Sequence, residues 1–112
     1  MVRRGEVYWV DFSPARGSEQ DGRRPALVVQ NDVGNRFSPT TIVAAMTSRV
    51  ADTEYPTEVR LPDDLFGKPS VVLCGQLLTL AQDRLSARPV MRLDDALMIR
   101  VDRAIKRSLG LR

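Results

Sequence analysis

The chain contains no histidine. That removes the commonest general acid–base and the commonest transition-metal ligand together. Any catalysis must run on other groups, and neither a cofactor nor a metal is expected. Cysteine is nearly absent as well. The single Cys74 cannot form an intrachain disulfide, and within the apolar run VVLC it reads as a small buried hydrophobe. A reducing cytoplasm is the expected compartment. No apolar run approaches the roughly 20 residues of a membrane-spanning helix. The start, MVRRGEVYWV, carries Glu6 and is soon followed by Asp11, which does not suit a secretory leader. No membrane association is expected, and there is no repeat or low-complexity tract.

What remains is an ordinary globular composition, 43% apolar and 28% charged, in 112 residues. That length predicts one domain, residues 1–112, with a small core and a large exposed fraction. Lys and Arg number 17 against 14 Asp and Glu, a net charge of +3. A mild basic excess suits an anionic partner without establishing one.

Aromatic and β-branched residues in GEVYWVDF (5–12) predict a strand, apolar on both faces and therefore covered on both. Residues 13–24 read as a loop broken by Pro14, Gly17 and Gly22. At about a dozen residues it exceeds the usual connection, a hint of function. PALVVQN (25–31) is a second strand with Pro25 at its first position. Residues 32–40 form a turn or short helical piece. TIVAAMTS (41–48) is a central strand, apolar through its middle. PTEVRL (56–61) alternates and predicts a half-exposed strand. SVVLCGQLLTL (70–80) is a long apolar strand with a bulge or bend at Gly75, and RPVMRL (88–93) is a last short strand. The C-terminus is helical: Asp94 suits an N-cap, Leu97, Val101, Ile105 and Leu109 form one apolar stripe, and Gly110 sits at the C-cap. The opposite face carries Arg100, Arg103, Lys106 and Arg107, either a solvated face or a surface for a polyanion. Short strands followed by one helix predict a mainly β, partly closed antiparallel barrel.

If the second and third strands pair as antiparallel neighbours across a connector centred near Arg36, partner numbers sum to about 72, good to a residue or two. Arg24 then falls opposite Ser48, and Thr47 opposite Pro25. The link carrying Ser18, Glu19 and Gln20 hangs over the same end. A guanidinium with two hydroxyls can hold a phosphodiester and offset the charge of a pentacovalent transition state. The alternative is a strand-end arginine paired with Glu19 or Asp21. Alternation assigns Arg23 to the opposite, solvated face. Tyr55, Phe37 and Phe12 are either stacking surfaces or packing residues.

Three segments, RGEVYWVDFSPARGSEQDGRRPALVVQND, FSPTTIVAAMTS and VVLCGQLLTLAQDRL, resemble the MazF family of toxin endoribonucleases, the MazF/PemK/Kid group of type II toxin–antitoxin systems. The likeness runs in order along nearly the whole chain, through the last helix and its SLGL ending. It implies an SH3-like barrel decorated with helices, a homodimer, and metal-independent cleavage of single-stranded RNA at short sequences. It also implies a cognate MazE-like antitoxin whose flexible tail blocks the RNA groove. Position by position, the resemblance assigns catalysis to Arg24 and Thr47, and RNA contacts to Ser18, Glu19, Gln20, Ser48, Arg49 and Gln76. The family commonly has an acidic residue before this glutamine and a basic one shortly after it. Gly75 and Leu78 stand in those places here.

The chemistry so implied is attack of the ribose 2′-hydroxyl on the adjacent phosphorus, leaving a 2′,3′-cyclic phosphate and a 5′-hydroxyl. Arg24 would neutralise the phosphorane and Thr47 orient the phosphate. The competing reading is a non-catalytic SH3-like binding module, or a CcdB-like toxin acting on a protein target such as a topoisomerase.

Overall fold

The computed structural model describes residues 1–12 and 23–112. Ser18, Glu19 and Gln20, with the rest of the 13–22 link, lie outside the described residues. The elements are β1 (Glu6–Asp11), β2 (Arg23–Val28), α1 (Asp32–Phe37), β3 (Thr40–Thr47), β4 (Glu58–Arg60), β5 (Val71–Ala81), a 3-10 turn (Gln82–Arg84), β6 (Met91–Arg92) and α2 (Asp95–Leu109). The strands form one antiparallel six-stranded sheet in the order β4-β5-β3-β2-β1-β6. It curls into a half-barrel, so β4 and β6 remain edges.

β3 sits inside the sheet as its apolar centre requires, with Val43, Ala44 and Met46 buried. Apolar residues pack on both faces. On one, Val7, Leu27, Ala44, Val59, Val72 and Cys74 meet Leu97, Val101 and Ala104 of α2. On the other, Tyr8, Val10, Ala26, Val28 and Val43 meet Leu85. β1 is therefore covered on both sides, as its composition implies.

The helix stripe is shorter than its period suggests. Leu97 and Val101 are buried and Ile105 packs against the core, but Leu109 is 57% exposed. Asp94 caps α2 by accepting from the Leu97 N–H at 2.8 Å. Gly110 ends it at φ 72°, with the Leu111 N–H reaching back to the Lys106 carbonyl at 2.7 Å. Only a residue free to adopt the left-handed region closes a helix this way at no steric cost. Arg4 pairs with Asp102 at 2.5 Å, and the Ser108 hydroxyl donates to the Cys74 carbonyl at 2.9 Å, fixing the helix to the sheet. No helix among the described residues is long and apolar enough to cross a membrane.

The connector that sets the β2–β3 register is α1, held by buried Asn35. The Asn35 side chain accepts from the Thr41 hydroxyl at 2.7 Å and from Gln30 Nε2 at 3.0 Å, and donates to the Gln30 carbonyl at 3.0 Å. Gln82 Nε2 donates to the Asn35 and Ser38 carbonyls at 2.9 Å each. Among the described residues no buried side-chain nitrogen or oxygen lacks a partner, so shifting the register by one residue would leave costly unpaired groups.

Three expectations need correction. β2 begins at Arg23 and ends at Val28, so Pro25 is its third residue rather than its first. Proline is tolerated there because the β2–β3 ladder ends at Ala26↔Ala45, just before it. β4 and β6 span three and two residues, shorter than 56–61 and 88–93, because their neighbours pair with them only that far. The β2–β3 partners sum to 71, as in Ala26↔Ala45, so Arg24 is level with Thr47 rather than Ser48 when the register is continued.

Candidate nucleic-acid interface

Past Ala26 and Ala45 the two central strands stop pairing, although β2 extends back to Arg23 and β3 on to Thr47. Pro25 has no amide to continue the ladder. A cavity of about 900 Å³ opens at that divergence. From β2 it takes Arg23, Arg24 and Pro25; from β3 and beyond, Thr47, Ser48 and Arg49. The floor comes from β5, which carries the expected bulge. Ala44 pairs with Leu77 but Ala45 pairs with Leu73, so Cys74, Gly75 and Gln76 have no partners across on β3. The backbone bends there toward β4, with the Cys74 N–H bonding the Thr57 carbonyl at 2.9 Å, and Gln76 lines the cavity.

Arg24, Thr47, Ser48, Arg49 and Gln76 thus share one cavity, although they come from β2, from the end of β3 and the residues after it, and from β5. Among the described residues four cations line it, Arg23, Arg24, Arg49 and Lys68, and no carboxylate does. Among the described residues no ion pair or hydrogen bond engages the Arg24 guanidinium. The alternative pairing with Glu19 or Asp21 concerns undescribed residues. Thr47 Oγ1 accepts from the Arg49 N–H at 3.1 Å. Its oxygen is held in place while its own proton stays free to donate to a bound oxyanion. The arrangement offers permanently charged donors and hydroxyls at the mouth of a cleft, a polyanion site by chemistry.

Arg23 departs from its expected place. It lines the same cavity as Arg24, because both sit where β2 leaves β3 and alternation no longer separates a covered from a solvated face. Phe37 and Tyr55 are 75% and 55% exposed, so neither is a core residue of the protomer; Phe12 is half-buried. Gly75 relieves no crowding within the protomer. A Cβ there would meet only Thr57 atoms at 3.9 Å, and its φ is not in the left-handed region.

Trp9, Phe66, Lys68 and Ser70 also line the cavity and are not legible as site residues in the sequence. Phe66 and Lys68 come from a turn-rich connector that only the tertiary fold brings near β2. Trp9 lies in a strand whose composition points to core packing.

A half-barrel whose central strands part over a cationic cleft defines a small β protein with the charge to suit a polyanion. The family model for PemK-like, MazF-like toxins of type II toxin–antitoxin systems matches residues 3–109. The endoribonuclease EndoA of Bacillus subtilis is 47% identical over 113 residues, 99% of this chain and 97% of the relative. A MazF structure from Deinococcus radiodurans superposes with a TM-score of 0.78 at 30% identity, covering 98% of this chain and 97% of that one. A MazE–MazF structure from the same organism gives 0.82 at 30% identity, covering 99% and 97%. The chain belongs to the PemK-like, MazF-like family of toxin endoribonucleases of type II toxin–antitoxin systems.

Proposed function

We propose that this chain cuts single-stranded RNA in the cleft between β2 and β3, by in-line attack of the ribose 2′-hydroxyl on the neighbouring phosphorus. The 2′-oxygen–phosphorus bond forms as the phosphorus–5′-oxygen bond breaks. The 2′-hydroxyl gives up its proton and the departing 5′-oxygen takes one. The products are a 2′,3′-cyclic phosphate and a 5′-hydroxyl. Arg24 neutralises charge on the equatorial oxygens, a role suited to its planar, permanently charged fork. Thr47 donates a hydrogen bond from its hydroxyl to a phosphate oxygen and keeps its proton. Ser48, Arg49 and Gln76 contact the strand beside it. No described carboxylate lines the cavity, so the proton acceptor comes from the 13–22 link, where Glu19 is the candidate, or from solvent. Ser18 and Gln20 complete the RNA contacts from that link.

The observation that carries this reading is the cation set of the cleft, four positive side chains without a described carboxylate, placed beside an oriented hydroxyl. Single-stranded RNA is the substrate because in-line attack needs a flexible backbone and exposed bases. The 112 residues act as one domain, in a homodimer, in the cytoplasm. Its partner is a MazE-like antitoxin, as MazE accompanies MazF in the Deinococcus radiodurans structure, and the tail of that antitoxin covers the groove. Cleavage of messenger RNA then arrests translation and growth. No metal enters the scheme.

Incubation with a mixed pool of long single-stranded RNA in EDTA tests this, with primer extension to map the cuts and end-group analysis of the fragments. Discrete cuts with cyclic-phosphate ends are expected. Intact RNA across all sequence contexts would return the chain to a binding role.

A further inference from the structure

Trp9 stands apart on its strand. Val7, Tyr8 and Val10 are 0%, 5% and 0% exposed, whereas Trp9 keeps part of its surface open. It lines the 900 Å³ cleft and also a second cavity of about 490 Å³, whose walls include Asp11, Asp83, Arg84 and Ser86. Among the described residues only Trp9 and Arg23 are common to both walls, so together they form the saddle between the two spaces. The tryptophan is held firmly. Its backbone N–H donates to the Ser86 hydroxyl at 3.1 Å, and the Ser86 backbone N–H donates back to the Trp9 carbonyl at 2.8 Å, so the main chain beneath the ring is anchored. The ring leans on Phe66, with centroids 6.3 Å apart and planes inclined by 48°. Across the β1–β2 ladder Trp9 faces Pro25, and its neighbour Val10 faces Arg24.

A braced, partly open indole next to a guanidinium, one strand position from the phosphate-holding arginine, has the features of a stacking platform for a base. We infer that Trp9 stacks a nucleobase adjoining the scissile phosphate, and that the RNA passes over the Trp9–Arg23 saddle from the larger cavity into the smaller one. This rests on the RNA-cleaving reading above. The smaller cavity mixes two carboxylates, Asp11 and Asp83, with two guanidiniums, Arg23 and Arg84, a lining suited to base edges more than to phosphate. A carboxylate accepts from an exocyclic amino group, and an arginine donates to ring nitrogens and carbonyls. The larger cavity is lined instead by cations and hydroxyls suited to phosphate. The two spaces thus divide the work of holding and reading the strand.

Trp9 is the chain's single tryptophan, so its fluorescence reports this site alone. The wild-type protein is titrated with two single-stranded DNA oligonucleotides about ten nucleotides long. One carries mixed bases and the other is abasic throughout. Neither has the attacking 2′-hydroxyl, so neither is cut. The base-bearing strand is expected to quench Trp9 emission, and the abasic strand to bind without doing so. Trp9→Leu should weaken the base-bearing strand by about 5- to 150-fold and leave the abasic strand unchanged, while Trp9→Phe retains most of the affinity. The wild-type titration decides the matter even if Trp9→Leu fails to fold. A base-bearing strand that binds with unchanged Trp9 emission, and equally well to Trp9→Leu, overturns the stacking role alone. Failure of both strands to bind removes the nucleic-acid reading with it.

Discussion

The cleft's charge sets a measurable salt dependence. Binding a single-stranded polyanion releases counterions, and log K falls with log salt at a slope of about 0.7 per phosphate neutralised. Arg23, Arg24, Arg49 and Lys68 line the cavity. If all four engage phosphates, the slope is about −2.8, and affinity falls about 50-fold between 50 and 200 mM salt. Lys68→Ala removes one cation without touching Arg24 or Thr47. Its slope should become about −2.1, with the affinity loss concentrated at low salt. The assay is fluorescence anisotropy of a labelled single-stranded DNA oligonucleotide over a salt series, run on both proteins. DNA serves because it lacks the attacking hydroxyl, so binding is measured without turnover. A wild-type slope shallower than about −1 would refute the assignment of this cavity as a phosphate track. So would a slope that does not change in Lys68→Ala, since the cation would then lie off the path.

Four further outcomes follow from the same structure. Arg24→Ala should lower kcat about 100- to 1000-fold with its circular dichroism spectrum unchanged, whereas Arg23→Ala should act mainly on KM; equal effects on kcat would show that both arginines serve the reacting phosphate. Thr47→Ala should be similarly damaging and Thr47→Ser largely competent, because the proposed work belongs to the hydroxyl; an inactive Thr47→Ser with native stability would contradict it. Gly75→Glu should fold with thermal stability close to wild type, since position 75 is exposed and a Cβ there meets nothing nearer than Thr57 at 3.9 Å, and a change in its cleavage pattern by primer extension would mark position 75 as a determinant of base preference. Burial pushes the Cys74 thiol from 9.0 up to about 11, with Asp102 adding to the shift. Native protein at neutral pH should therefore resist a thiol reagent until unfolded. Between about pH 9 and 11 the unfolded thiol ionises while the folded one stays protonated, so stability should fall with rising pH in that window, checked by denaturant titration.

Much of the architecture is written in local patterns. The apolar centre of β3, the two-faced β1, the Asp94 cap and the Gly110 stop depend on neighbours within a few residues, and each appears where its pattern places it. The β5 bulge is equally legible at Gly75. Strand ends are less so. Where β4 and β6 stop depends on how far β5 and β1 accompany them, which is a property of the partner.

The site divides along the same line. Arg24, Thr47, Ser48, Arg49 and Gln76 were identifiable as residues, and an estimate of register brought Arg24 and Thr47 to one end of the sheet. The partner numbers sum to 71, one below what the centre of the connector implies, because the turn geometry of α1 and the pairing of buried Asn35 decide the register. The shared cavity itself arises only where Pro25 ends the ladder and the strands part, which turns Arg23 from a solvated residue into a wall. Residue chemistry, charge and strand identity are properties of the chain read in order. The cleft, and the places of Trp9, Phe66 and Lys68 in it, come from segments far apart in sequence, and only packing brings those together.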